Sequence, residues 1–314
     1  MMLKKILGMT FAILGMSVTV SFCIAVYFYR RTMIRSKAKT ERTMKMAGTD
    51  WNKHMPFIQE RKEAMLNEEH SDKWIISKDG LKLHATWFPQ SDCKKIVICF
   101  HGYTSQGMKD YIGLSGYYLK RGYSMLLVDE RAHGKSEGKY IGFGCLDRQD
   151  ALQWVDWVLE TCGEDVEILL HGTSMGAATV LMTSSLNIPP QVKGIVSDCA
   201  FTSPKEVFTH VLKSMYKMPA FPIIPLTDLL NRLLAGYGLD ECNAAREVVD
   251  AKIPILFIHG SADTFVPCSM CEEMYEKCAS PKRKLIIEGA AHAECYYKDT
   301  SVYEQALTQF IGEI

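Results

Sequence analysis

Gly172-Thr173-Ser174-Met175-Gly176 is the stretch of this chain best suited to chemistry. It reads Gly-x-Ser-x-Gly. An apolar run before it, Val166 to Leu170, predicts a buried strand, and Ala177 to Leu186 after it predicts a helix. On such a strand-to-helix turn the serine backbone is strained, small neighbours let the turn close, and the hydroxyl is pushed out above the sheet. A neutral hydroxyl is a weak nucleophile near neutral pH, so Ser174 needs a base beside it.

Nine histidines compete for that role. His54 and His70 fall in a polar stretch, His84 in a hairpin, and His210 in a helical insertion. His101, His171 and His259 each end a strand just before a glycine, and His133 lies in a loop. His292 stands apart. It follows the last predicted strand within Glu288-Gly289-Ala290-Ala291-His292-Ala293, where small residues leave its ring room over the sheet. If the chain order is Ser, acid, His, the base follows the acid. Asp263, just after the strand Ile255 to Ile258, would hold the imidazole in the right tautomer and stabilise its charged form. Asp198, at the end of the strand before the insertion, is the rival acid, with a structural carboxylate as its other role. Asp129, in Asp129-Glu130-Arg131-Ala132-His133-Gly134, is expected to be structural.

Attack on a carbonyl creates an oxyanion, which needs fixed donors worth about 3 kcal/mol of barrier each. The backbone N–H of Tyr103, in His101-Gly102-Tyr103-Thr104, and that of Met175, at a helix N-terminus, are the expected pair.

These residues need a sheet to position them. Lys73 to Ser77 and Leu81 to Phe88 flank Asp79-Gly80, a hairpin signal. Ile96 to Phe100, Tyr123 to Val128, Val166 to Leu170, Gly194 to Ser197, Ile255 to Ile258 and Lys284 to Ile287 predict further strands. Asp110 to Lys120, Asp147 to Glu160 and Val302 to Ile311 predict helices between and after them. This alternation predicts an α/β fold, a mostly parallel eight-stranded sheet with helices on both faces and one antiparallel edge. Such sheets carry their sites at the carboxyl ends of the strands. From about residue 203 to 252 the alternation lapses around Pro219, Pro222 and Pro225, which predicts a small helical cap over the site.

Ile6 to Tyr29 is a run of 24 residues without a charge, closed by Tyr27, Phe28 and Tyr29 and followed by Arg30, Arg31, Arg35, Lys37 and Lys39. That length predicts a transmembrane helix. Arginines where a cleavage site would fall argue against a removed signal peptide. The positive flank points the rest of the chain to the cytoplasmic side of the cell membrane. Residues 1–39 thus read as anchor and basic flank, 40–72 as a linker or stalk with a possible helix from Trp51 to Glu69, and 73–314 as the catalytic domain.

Basic and acidic side chains balance at 36 each, and no basic stripe is interleaved with aromatics, so nucleic acid is not an expected partner. Eleven cysteines lie scattered, as free thiols in a reducing compartment would. Cys268, Cys271 and Cys278 lack the spacing of a zinc site.

Together, His101-Gly102, Asp129 to Ser136, Gly172 to Gly176, Gly260 to Pro267 and Gly289 to His292 resemble the α/β-hydrolase superfamily. They are most similar to bacterial membrane-anchored hydrolases of the serine-aminopeptidase and monoacylglycerol-lipase-like type. The resemblance implies an acyl-enzyme mechanism on an ester, thioester or amide without metal or organic cofactor, with Ser174 attacking, His292 shuttling the proton and water releasing the acid. The expected activity is hydrolysis of a lipid-like or small carboxylic ester. A peptidase or acyltransferase with the same triad, or a catalytically inactive membrane-bound binding module, are the alternatives.

Overall fold

Continuous runs of Val, Ile, Leu and Phe in Lys95–Phe100 and Tyr123–Asp129 bury both faces of each strand, as strands covered by helices on two sides must. In the computed structural model, which describes residues 19–35 and 49–314, these strands are part of one eight-stranded sheet. Its strands are β1 (Ser71–Ile76), β2 (Lys82–Phe88), β3 (Lys95–Phe100), β4 (Tyr123–Asp129), β5 (Glu167–Thr173), β6 (Val192–Asp198), β7 (Ile255–Gly260) and β8 (Lys282–Ile287). They lie in the order β1-β2-β4-β3-β5-β6-β7-β8. β2 runs against both neighbours, and every other pairing is parallel.

The helices are α1 (19–32), α2 (Met55–Leu66), α3 (Gly107–Asp110), α4 (Ile112–Leu119), α5 (Asp147–Cys162), α6 (Met175–Thr183), α7 (Pro204–Ser214), α8 (Ile223–Ala235), α9 (Ala244–Glu247), α10 (Cys268–Lys277), α11 (Cys295–Lys298) and α12 (Thr300–Ile311). One buried cluster, including Trp154, Val155, Ala177 and Leu181, packs α5 and α6 on one face of the sheet. A second, including Tyr117, Tyr118, Leu307 and Phe310, packs α4 and α12 on the other. α7, α8 and α9 form the insertion between β6 and β7.

Local differences from expectation have physical causes. The β1–β2 turn spans Lys78, Asp79 and Gly80 rather than two residues, with Ser77 N–H bonded to Leu81 O and Gly80 at φ +87°. That is the three-residue hairpin in which glycine takes the left-handed position. The helix expected over Asp110–Lys120 breaks at Tyr111, whose hydroxyl is drawn into the core to donate to Phe100 O (3.1 Å) and His171 O (2.7 Å).

The expected anchor, Ile6–Tyr29, falls partly outside the described residues. Among those described, no helix is long and apolar enough to cross a membrane. α1, the last part of that run, packs on the protein, with Ala25, Tyr29 and Met33 buried. Within the expected linker, Trp51–His54 forms a 3₁₀ turn and α2 packs against α4 through Met65 and the partly buried Phe57 and Ile58. The cysteines also depart from the all-thiol reading: Cys93 and Cys162 form a disulfide tying the approach to β3 to the end of α5, while the other nine are free.

Candidate active site

Each candidate side chain follows the carboxyl end of a strand: Tyr103 after β3, Ser174 after β5, Asp263 after β7 and His292 after β8. Ser174 occupies the single residue between β5 and α6, at φ 55° and ψ −109°. That conformation is strained for a residue with a side chain and persists because its surroundings over-determine it. Its N–H donates to Asp198 O (2.8 Å). A Cβ on Gly172 would lie 2.2 Å from Gly176 O, and one on Gly176 would lie 2.0 Å from Phe100 O. Both positions therefore exclude any larger residue, and the close approach they allow is what aims the serine over the sheet.

Ser174 Oγ lies 2.8 Å from His292 Nε2, and His292 Nδ1 lies 2.7 Å from Asp263 Oδ2. All three are buried. Asp263 Oδ1 accepts the N–H groups of Phe265 (2.9 Å) and Val266 (2.8 Å), which fixes the carboxylate's orientation. Burial works against its charge, but His292 and His259, together with their bonds to it, hold its carboxyl below the usual range. An ionised carboxylate on Nδ1 selects the tautomer in which Nε2 is free to take a proton from the serine.

Asp198, the rival acid, is bonded elsewhere. Its Oδ2 accepts from the Tyr303 hydroxyl (3.0 Å), and its Oδ1 has no partner among the described residues. Burial pushes its carboxyl up to about 6. The folded chain thus holds this proton more tightly than the unfolded chain does. The resulting stability is complete below about pH 4 and is lost as pH rises through 6, about 3 kcal/mol in all. Asp198→Asn should remove that dependence: denaturant melts at pH 4 and pH 8 are expected to show the variant gaining on the wild type as pH rises. A difference that does not change with pH would refute the buried Asp198 carboxyl as its source.

The Tyr103 loop is held beside the serine by groups whose part in the site the sequence did not show. A Cβ on Gly102 would sit 3.3 Å from Ser174 Cβ, so the loop runs alongside the nucleophile. His133 Nδ1 is 3.0 Å from Arg131 O, and its Nε2 accepts Thr104 N–H (3.2 Å). That arrangement needs a neutral ring, and burial and the neighbouring His101 push the His133 pKa down to about 3. His101 Nε2 accepts Glu130 N–H (3.0 Å). The His133 and His101 rings thus lock the β3 loop to the β4 loop. Met175 N opens α6 at the serine, where the helix dipole favours a developing negative charge.

The loop of His292 has its own support. Glu294 Oε2 accepts Ala291 N–H (3.0 Å), and its Oε1 contacts His54 and Lys53, each at 2.9 Å. Burial opposes its charge, but these donors hold the Glu294 carboxyl down at about 2. His54 and Lys53, read from sequence as stalk residues, therefore brace the loop that carries the imidazole. Asp129 is structural, as expected: it accepts from His84 Nδ1 (2.8 Å) and Lys135 N–H (2.9 Å).

Above Ser174 lies an apolar cleft with about 50 Å³ of open space, room for roughly four waters. Tyr103, Phe143, Phe201 and Phe265 line it from the hydrolase core, and aliphatic and aromatic side chains of α7 and α8 cover it. Phe28 and Thr32 of α1 complete the wall. No carboxylate is among the described residues that line the cleft. Among the described residues, no group of His, Cys, Asp and Glu is arranged to hold a metal ion.

Sheet order, strained serine turn and cap define a class, the α/β-hydrolase fold, and the chain is similar to members of that superfamily. Residues 91–235 match the family described as serine aminopeptidase, S33. The chain is 28% identical over 314 residues to the uncharacterized protein YqkD of Bacillus subtilis (strain 168), spanning 99% of this chain and 98% of that one. Among solved structures it is similar to the Pyrococcus furiosus esterase PF2001 (TM-score 0.64, 26% identity, 80% of this chain and 93% of that one). It also shares its fold with the esterase EaEST of Exiguobacterium antarcticum (TM-score 0.56, 18% identity, 76% of this chain and 99% of that one).

Proposed function

We propose that this protein is a membrane-anchored serine hydrolase that cleaves carboxylic esters through an acyl-enzyme. The reading rests on one observation, the hydrogen-bond chain from Ser174 through His292 to Asp263 at the floor of an apolar cleft. Ser174 Oγ attacks the ester carbonyl while His292 Nε2 takes its proton. The N–H groups of Tyr103 and Met175 receive the oxyanion. His292 then gives the proton to the leaving alcohol, and a water, deprotonated by the same ring, releases the acid.

The cleft's lining favours an ester of an apolar acyl group over an aminoacyl amide. An aminopeptidase must neutralise a substrate ammonium, and the described lining residues offer no carboxylate for it. The open space suits a short acyl chain, and a longer, lipid-like one would need the cap or α1 to move.

The uncharged run that begins at Ile6 and ends in α1 serves as the anchor, with its last residues packed on the protein. Exposed Phe22 and Tyr27 on α1, and Phe221 on the adjoining cap, are apolar groups that a bilayer surface would cover. The catalytic domain faces the cytoplasm, supported by the basic flank and the nine free cysteines. The Cys93–Cys162 disulfide is the one feature that pulls toward an oxidising compartment. Fluorophosphonate labelling of cell membranes tests the proposal. Wild type is expected to label and to stay in the pellet through an alkaline wash, and Ser174→Ala not to label. An unlabelled wild type would overturn the hydrolase, and a labelled band released by the wash would overturn the anchor. Faster turnover of aminoacyl amides than of esters would move the substrate class to peptides.

A further inference from the structure

We infer that Phe28, on the helix that leads out of the anchor segment, sets the length of acyl chain the cleft accepts. The inference rests on the ester-hydrolase reading of Ser174 and goes further in naming a specificity residue outside the hydrolase sheet and its cap. Phe28 and Thr32 share one cleft with Ser174. The Phe28 ring meets Tyr216 of the cap edge-on, with centroids 4.8 Å apart. It packs with the cluster formed by Ala25, Leu212, Ile223 and Ile224. The Thr32 hydroxyl donates to Phe28 O (2.8 Å), so this pocket residue brings no free donor to the cleft.

α1 is seated firmly enough to act as a wall. Beyond its last turn, Ile34 bridges to Tyr140, Met33 O accepts Ile141 N–H (2.9 Å), and Arg35 N–H donates to Lys139 O (2.9 Å). The Arg35 guanidinium binds Gly134 O (2.6 Å) and Ser136 O. The Tyr103 hydroxyl donates to Arg31 O (3.2 Å), which ties α1 to the loop carrying the expected oxyanion donor. A side chain fixed this way cannot be displaced cheaply by substrate. An acyl chain that fills the cleft therefore meets the Phe28 ring, and each methylene gained or lost in such an apolar pocket is worth about tenfold or more in discrimination.

Two measurements test this. In the full chain in detergent or nanodiscs, kcat/KM is measured for straight-chain esters from acetate to decanoate. Phe28→Ala is expected to raise the ratio of octanoate to butyrate turnover by about tenfold or more, and Phe28→Trp to move the preference toward acetate by a similar factor. Separately, in a Ser174→Ala background, binding of straight-chain methyl ketones is measured by calorimetry with and without Phe28→Ala, and the preferred chain is expected to lengthen. If wild type turns over no ester but ketone preference still follows residue 28, the hydrolase reading falls and the wall stands. If folded Phe28 variants leave both chain-length profiles where they were, the wall falls and the hydrolase reading stands.

Discussion

Ser174→Ala and His292→Ala are each expected to lower kcat by about a millionfold on a short-chain ester, and the double variant to be no slower than either. The two side chains act as a unit. The hydroxyl is activated only while His292 Nε2, at 2.8 Å, can take its proton, and the ring has nothing to activate once the hydroxyl is gone. Non-additivity separates this from a structural effect, because independent losses would multiply. The His292 ring is buried and packed against Phe265, with centroids 4.9 Å apart, so the folded fraction of each variant has to be checked by thermal melt. Residual rates should come from binding and the oxyanion donors alone. A folded His292→Ala protein within a hundredfold of wild type would remove the imidazole from the mechanism, and losses that multiply would dissolve the pair.

The parts of this site carried by local rules were legible in the sequence. The strand before Ser174 is apolar because both its faces are covered, and Gly172 and Gly176 are glycine because the turn and the neighbouring β3 backbone leave no space for a Cβ. One constraint comes from within the turn and the other from β3, but both fall on fixed positions beside the serine, so they leave a pattern. His292 stood out by chain order and by the small residues around it, six strands by short apolar runs, and the first two strands by the turn at Asp79-Gly80.

What was not legible depends on contacts between distant segments. Glu294 and His54 are 240 residues apart, and the type of neither residue announces the other. His133 holds the Tyr103 loop only because β3 and β4 are adjacent in the sheet. The disulfide joins two cysteines 69 residues apart in a chain with nine free ones, and no spacing marks the pair. The N-terminal run was ambiguous for a physical reason. A helix that faces lipid and a helix that faces an apolar cap need the same composition. Ala25 and Tyr29 are covered by protein, whereas Tyr27, between them in sequence but on another face of the helix, is exposed.

Asp263→Asn is expected to lower kcat by about ten thousandfold with little change in fold. The geometry gives the reason. Oδ1 accepts two backbone N–H groups, so the amide oxygen of asparagine would settle there and its NH₂ would take the place of Oδ2. That NH₂ would donate to His292 Nδ1 and shift the ring proton to Nε2, leaving no acceptor for the serine's proton. It would also face His259 Nε2, 3.4 Å from Oδ2, and the substitution would remove the carboxylate that holds the His259 pKa up against the effect of burial. Asp198→Asn is the comparison that decides the acid. Its Oδ2 accepts from Tyr303, whereas the imidazole Nδ1 lies on Asp263, so its loss should cost less than tenfold. Steady-state kinetics of the two variants, side by side on the same ester, distinguish the assignments. A near-normal Asp263→Asn beside a crippled Asp198→Asn would transfer the role to the carboxylate at the end of β6.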